Sequence, residues 1–289
     1  MQARTVRRFL YLAGFIALLV FLLRREEPGG LPMAHDRLGF LTIAGVITTS
    51  EELVDDIELL ASNPHVRGLV LRVDSPGGGV APSQEIHDAL VRFQGDGDRP
   101  VVVSMGNVAA SGGYYVSCGA EKIVANAGTL TGSIGVIMHF TQFHDLLDRL
   151  GVHAEAIKTG AFKDIGSPTR EMTDEERALL EGVLDDVHGQ FVAAIVEGRG
   201  MPEEVVRALA DGRIFSGQQA KERGLVDELG GLHDAIRLAG DLTGLGPEPE
   251  LLRPQESGVR RLRELIDGST VGRLFAAPGL QGLCFLYRY

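Results

Sequence analysis

Two apolar runs that break off into glycine constrain this chain more than any other feature. GLVLRV at 68–73 ends in DSPGGG, and the run at 100–104 passes through MGNVAA into SGGYY at 111–115. A short run with no polar alternation reads as a strand buried on both faces, as in a parallel sheet. Around these runs, strand-like and helix-like stretches take turns. Residues 38–47 read as a strand. Thr49 and Glu52 form a capping-box pattern for a helix to about Ala61, and Pro82 opens a helix carrying Ile86, Leu90 and Phe93. A helix opens near Ser111, strands are expected at 122–125, 134–138 and 153–157, and a helix near 141–150 stops at Gly151. Thr173 and Glu176 start a long helix to about Gly198, followed by helices near 202–210, 216–223 and 231–242. Strands alternating with helices imply an α/β fold with parallel pairing.

Charge excludes one class of function. The net charge is −11, and the first 25 residues hold five arginines and no acid, so the body is more acidic still. A phosphate-binding surface needs the opposite sign, so no nucleic acid is expected. Phe9 to Leu23 is an unbroken apolar run between arginine pairs. It spans roughly 23 Å as a helix, and snorkelling arginines extend it toward the ~30 Å hydrocarbon core. The length also suits a cleaved signal peptide, but RREEPGG follows with no small-x-small cleavage site close behind, so residues 1–25 are read as an uncleaved membrane anchor and 26–37 as a linker. The arginine balance leaves the N-terminus in the cytoplasm and exports the body.

Three segments carry chemistry. Ser111 follows a strand at a helix start, where free N–H groups favour negative charge, although a serine there can also simply cap the helix. The glycines of DSPGGG lie at the C-terminal end of a buried strand, where ligands bind in open α/β sheets. The N–H of one of these glycines, Gly77, Gly78 or Gly79, paired with that of Gly112, would make an oxyanion hole, against the alternative of a plain strand-to-helix turn. In KTGAFKDIGSP at 158–168, Lys163 acts as a base only if its amine is neutral, several units below the ordinary lysine value of about 10.4; otherwise it is a solvated surface residue. Ser133 in TGSIG offers a hydroxyl to orient that amine. His139 is the rival base. Cys118 and Cys284 have no metal-ligand spacing and read as inert thiols, and neither metal nor cofactor is expected.

Taken in order, VDSPGGG, AASGGYY, LTGSIGV, KTGAFKDIGSP and DGRIFSGQQAKERGLVDELGG at 211–231 resemble the bacterial signal peptide peptidase A family over about residues 38–243. The resemblance implies a ClpP/crotonase-like fold of repeated β-β-α units. It makes Ser111 the nucleophile, Lys163 the general base, Gly78 an oxyanion donor and Ser133 the residue that positions the lysine. Single copies of each motif match the short form of the family. That form implies a homo-oligomer, an octameric ring on the bacterial cytoplasmic membrane with its catalytic domain outside the cytoplasm. Each site is then shared between subunits, and the substrates are cleaved signal peptides and other apolar peptides. The protease domain is expected at 38–245 and a tail at 246–289, whose apolar end LCFLYRY suggests docking onto the domain, a partner or the membrane. Other readings on the same fold are a ClpP-like Ser/His protease, a crotonase-type acyl-CoA enzyme and a non-catalytic ring scaffold.

Overall fold

A computed structural model describes residues 35–95, 98–254 and 284–286. The expected anchor at 1–25, residues 26–34 of the linker and most of the tail lie outside these residues, while Arg37, the last residue of the expected linker, already begins the first strand. Among the described residues no helix is long and apolar enough to cross a membrane. The chain divides into two compact units, and every described element belongs to the one formed by Asp36–Pro254 and Gly279–Tyr289.

That unit is a mixed α/β structure around an eight-stranded sheet. Its centre is β1 (Arg37–Ala44), β2 (Val66–Ser75) and β4 (Val101–Ala110), paired in parallel. The alternation of side chains across a strand sends these residues to two different cores. Leu69, Leu71, Val73, Val101, Val103 and Met105 face α1 (Glu51–Ser62) and α2 (Val80–Gln94). Val70 and Val102 face the opposite way, toward Ala235 and Ala239 of α8 (Leu232–Thr243). With both faces covered, the strands need no polar alternation, which is why they read as unbroken apolar runs.

β4 is longer than the run that announces it, and it changes partner along its length. Its first half pairs with β5 (Lys122–Ala125), and its last residues, Val108–Ala110, pair with β6 (Leu130–Gly132). A shift in register between Val73 and Ser75 lets β4 bulge, and Asp74 Oδ1 accepts the Val108 N–H at 3.0 Å. The sheet continues through β7 (Ile214–Ser216), antiparallel to β6, and β8 (Glu228–Leu229) beside β5. Its far edge is β9 (Leu251–Leu252), beside β1 and within the stretch expected as the tail. The remaining elements are β3 (Gly77–Gly79), α3 (Gly112–Ser117), α4 (His144–Arg149), α5 (Asp174–Arg199), α6 (Glu203–Leu209), α7 (Gly217–Glu222) and β10 (Cys284–Leu286).

Three local expectations give way. The strand at 134–138 is replaced by β6, because positive φ at Gly132 (80°) and Ser133 (52°) turns the chain out of the ladder there. No strand forms at 153–157, where the chain is exposed and has no neighbouring strand to pair with. The helix expected to be capped by Thr49 starts one residue later. Ser50 occupies its N-cap, and the Ser50 hydroxyl bonds to Glu85 of α2 rather than capping its own helix. The box at Thr173 and Glu176 does form, with the Thr173 hydroxyl accepting the Glu176 N–H at 3.2 Å and Glu176 accepting the Thr173 N–H at 2.9 Å.

Candidate active site

The site is assembled where β2, β4 and β6 end. After Ser75, Pro76 turns the chain and the Ser75 hydroxyl accepts the Gly77 N–H at 3.1 Å, which fixes the turn. Ser75 was not singled out by the sequence reading, although a serine two residues before a glycine is the signature of such a turn. β3 follows and is stitched to Ile47: the Ile47 N–H donates to the Gly77 carbonyl at 2.9 Å, and the Gly79 N–H donates to the Ile47 carbonyl at 2.8 Å. The approach is so close that a Cβ on Gly78 would sit 1.9 Å from the Ile47 carbonyl oxygen.

Ser111 stands at the junction of β4 and α3. It is buried, with φ 54° and ψ −118°, a conformation that costs a non-glycine residue about 1–3 kcal/mol. It occupies the N-cap position, yet its side chain makes no capping hydrogen bond. Capping was the plain alternative for this serine, and the geometry does not support it. The backbone around it is held from several sides. The Ser111 N–H donates to the Gly132 carbonyl at 2.8 Å, and the Ser111 carbonyl accepts from Tyr115 at 2.8 Å. Gly113 presses against the Ser75 carbonyl, where a Cβ would meet it at 2.9 Å. Every residue of α3 is buried, and the Tyr114 hydroxyl donates to the Leu225 carbonyl at 2.9 Å. Gly112 is the first residue of this helix, so its N–H has no intrahelical acceptor.

Ser133 lies level with Ser111 on the neighbouring strand end, because Ala110 pairs with Gly132. These two serines are the non-glycine residues with positive φ among those described. The Ser133 N–H donates to the Arg213 carbonyl at 2.8 Å, and the Thr131 hydroxyl ties β6 to β4 through the Ala109 carbonyl at 2.6 Å. Ser111, Gly112, Gly78 and Ser133 therefore belong to one constellation of adjoining strand ends.

Lys163 is placed differently. It lies exposed in a turn between α4 and α5, and no hydrogen bond joins it to Ser111 or Ser133 among the described residues. The loop that carries it is nonetheless well fixed, by a residue that the sequence reading missed. Arg170 donates to Asp164 at 2.8 and 3.0 Å and to Glu176 at 2.8 Å, and so clamps the loop to the first turn of α5. Lys158 adds a hydrogen bond to the Ala161 carbonyl at 2.8 Å and an ion pair with Asp164. His139, the rival base, is exposed on the segment before α4. Cys118 is a free, buried thiol, pushed up to about 12 by that burial. No cluster of three or more metal-ligating side chains occurs among the described residues.

The Arg170 clamp sets a pH dependence. Arg170 first, and then Lys158, hold the Asp164 carboxyl well below its ordinary 3.8; Arg170 and the Thr173 backbone lower Glu176 from 4.5 to about 2. Both carboxylates are depressed in the folded state, so their contribution is complete above about pH 4.5 and declines below it, that of Glu176 being lost as pH falls through about 2 and that of Asp164 in still stronger acid. We expect the Tm of wild type and Arg170→Ala to run parallel from pH 5 to 8 and to converge below pH 4. Parallel curves down to pH 2 would contradict the clamp.

Comparison with known proteins adds an independent line. The profile of Peptidase family S49 matches residues 94–246. A Synechocystis protein provisionally named a protease is 45% identical over 202 residues, which span 70% of this chain and 72% of that one. An Enterococcus faecium protein provisionally named signal peptide peptidase SppA is 39% identical, over 64% of this chain and 54% of its own length. Protease 4 of Salmonella typhi is 38% identical over 63% of this chain, but the match covers only 29% of that longer protein.

Proposed function

Because the chain belongs to peptidase family S49, alongside proteins named SppA and Protease 4, it is a serine peptidase, and we propose that it works through a Ser111/Lys163 dyad shared between neighbouring subunits. The observation that carries this reading is the strained, buried backbone of Ser111, whose side chain makes no capping hydrogen bond, beside the glycine strand β3. Strain at a non-glycine residue persists only where its surroundings over-determine it, and such positions cluster at active sites.

In this mechanism the Ser111 hydroxyl attacks the scissile carbonyl while its proton passes to the neutral amine of Lys163. The N–H groups of Gly78 and Gly112 receive the oxyanion. The C–N bond then breaks as Lys163 returns the proton to the leaving amine. Water, deprotonated by Lys163, attacks the acyl ester, and the C–O bond to Ser111 breaks as Lys163 returns that proton to the serine oxygen. The Ser133 hydroxyl orients the lysine. A second observation favours a base from the adjacent subunit. The segment around Lys163 leaves Leu150, Ile157 and Phe162 exposed, with Ile157 fully so, as does Leu179 on α5. An apolar surface of this kind suits burial against another copy of the chain.

The reading extends to a ClpP/crotonase-like ring of eight subunits. Residues 1–25 anchor it in the bacterial cytoplasmic membrane, and its sites face outward onto signal peptides and other apolar peptides. A serine-directed fluorophosphonate probe tests the nucleophile. We expect labelling of the wild-type protein at Ser111 and none of Ser111→Ala. A probe that leaves the wild type unlabelled would instead favour a scaffold that has kept only the fold.

A further inference from the structure

A strand of three glycines has no side chain to pack, so its position depends on its backbone hydrogen bonds. One edge of β3 is held by three of them. Ile47 donates to the Gly77 carbonyl and accepts the Gly79 N–H, and the Ser75 hydroxyl accepts the Gly77 N–H at 3.1 Å. Backbone groups of successive strand residues point to alternate edges, so Gly78 faces the other edge, alongside Cys284–Leu286. Ser75 is fully buried, and it ends β2 opposite Ala109, two residues before Ser111. Its carbonyl looks toward α3. It lies so close beneath Gly113 that a Cβ on that glycine would meet the Ser75 carbonyl oxygen at 2.9 Å and the Ser75 Cβ at 3.4 Å. One residue thus touches both the glycine strand and the helix that begins beside the nucleophile.

We propose that Ser75 is a positioning residue for hydrolysis, which holds the Gly78 N–H on β3 and the Gly112 N–H on α3 at a fixed separation. The proposal rests on the reading of these two groups as the oxyanion donors. A hole built from two elements works only while both donors stay about 2.7–3.1 Å from the oxygen that becomes charged. β3 is tied to Ile47, and the start of α3 is tied to Gly132 through the Ser111 N–H, but neither bond joins strand to helix. Ser75 makes that link. Its hydroxyl fixes the turn through Pro76 and Gly77, and its carbonyl sets how closely α3 approaches. Without the hydroxyl, the Gly77 N–H is buried with no acceptor, and it recovers one only if the turn rotates. Gly77, with φ 101°, offers little resistance to such a rotation, because a glycine moves freely in φ. Gly78 is the next residue and turns with it. The loss then falls on the transition state, where the oxyanion forms, and little on the bound substrate.

The test compares Ser75→Ala with wild type in the full-length assembled protein. We expect kcat for an apolar reporter peptide to fall about 10- to 100-fold, less than for loss of a whole donor, with KM within about twofold. A peptide aldehyde gives a second readout. The Ser111 hydroxyl adds to its carbonyl carbon, the proton passes to the new oxygen, and that oxygen of the tetrahedral hemiacetal occupies the hole. Aldehyde affinity should fall by the same factor as kcat/KM. Affinity for the uncleaved reporter, read by fluorescence anisotropy in a Ser111→Ala background, should change by no more than about twofold when Ser75→Ala is added. Ser75→Cys keeps the shape of the side chain but offers only a weak acceptor, so it should follow Ser75→Ala. Wild-type turnover and aldehyde affinity in either variant overturn the proposal. Equal losses of aldehyde and reporter affinity overturn it too, because they report a site that has merely loosened. Gly78→Ala, measured alongside, separates the premise from the proposal. Aldehyde affinity that survives Gly78→Ala removes Gly78 as a donor, whereas a loss there with none in Ser75→Ala removes Ser75 alone.

Discussion

On the proposed mechanism we expect Ser111→Ala and Lys163→Ala, each in the full-length assembled protein, to lower peptide hydrolysis by about 10⁴-fold or more, and assemblies mixed from the two variants to recover activity. The size of the loss follows from the way a nucleophile and its base act as a unit, so that losing either one removes nearly the whole contribution. The recovery follows from where the two side chains stand. Ser111 sits in the buried junction of β4 and α3, whereas Lys163 lies exposed in the clamped loop before α5. If each site takes its serine from one subunit and its lysine from the next around a closed ring, random assembly of equal amounts leaves about one quarter of sites with both groups. A site contained within one chain leaves none. Co-expression with two affinity tags and a peptide-hydrolysis assay separates the cases. Recovery near one quarter supports the shared site, while a fully inactive mixture would return the lysine to its own chain. Full activity in Lys163→Ala would remove it from the mechanism altogether.

How far the sequence speaks varies from element to element, for physical reasons. α5 begins at its capping box because a cap depends on neighbours within a few residues, and β5 lies at 122–125 because its apolar run finds β4 to pair with. The α/β alternation is legible for the same reason: it is a periodicity. What periodicity does not carry is conformation imposed from outside. Nothing local in AASGG announces that Ser111 adopts a positive φ; that comes from the Gly132 carbonyl, Ser75 and the burial of α3 acting together. The strand expected at 153–157 has suitable residues but no partner, and a strand is a property of a pair. Arg170 looks like any charged loop residue until Asp164 and Glu176 converge on it. The pairing of β10 with β3 joins residues some two hundred positions apart. Lys163 drew its standing from motif order alone, and within one chain its surroundings still read as surface.

Gly78→Ala brings the second large effect, and it divides a structural role from a chemical one. An added Cβ would lie 1.9 Å from the Ile47 carbonyl oxygen and 2.6 Å from the Ile47 carbonyl carbon and nitrogen. These are backbone atoms fixed by two hydrogen bonds to Gly77 and Gly79, so no side-chain rotation relieves the clash. β3 has to move away from Ile47, at a cost of about 3 kcal/mol, which for a domain of this size lowers Tm by roughly 10 °C. On the proposed mechanism, the same displacement carries the Gly78 N–H off the position where charge develops. Loss of one such donor costs about 10²–10³ in kcat, over and above any fraction of protein that unfolds. Gly128→Ala is the matched control, because a Cβ there meets nothing within 4 Å and the change should stay within about 0.5 kcal/mol. Thermal unfolding and single-turnover kinetics, measured on the folded fraction at low temperature, read the two effects separately. A Gly78→Ala protein that is destabilised but turns over at the wild-type rate would confine Gly78 to packing and place the oxyanion donor elsewhere. One that loses both would tie the closeness of β3 to Ile47 to the catalysis, since the contact that excludes a side chain is the same one that aims the N–H.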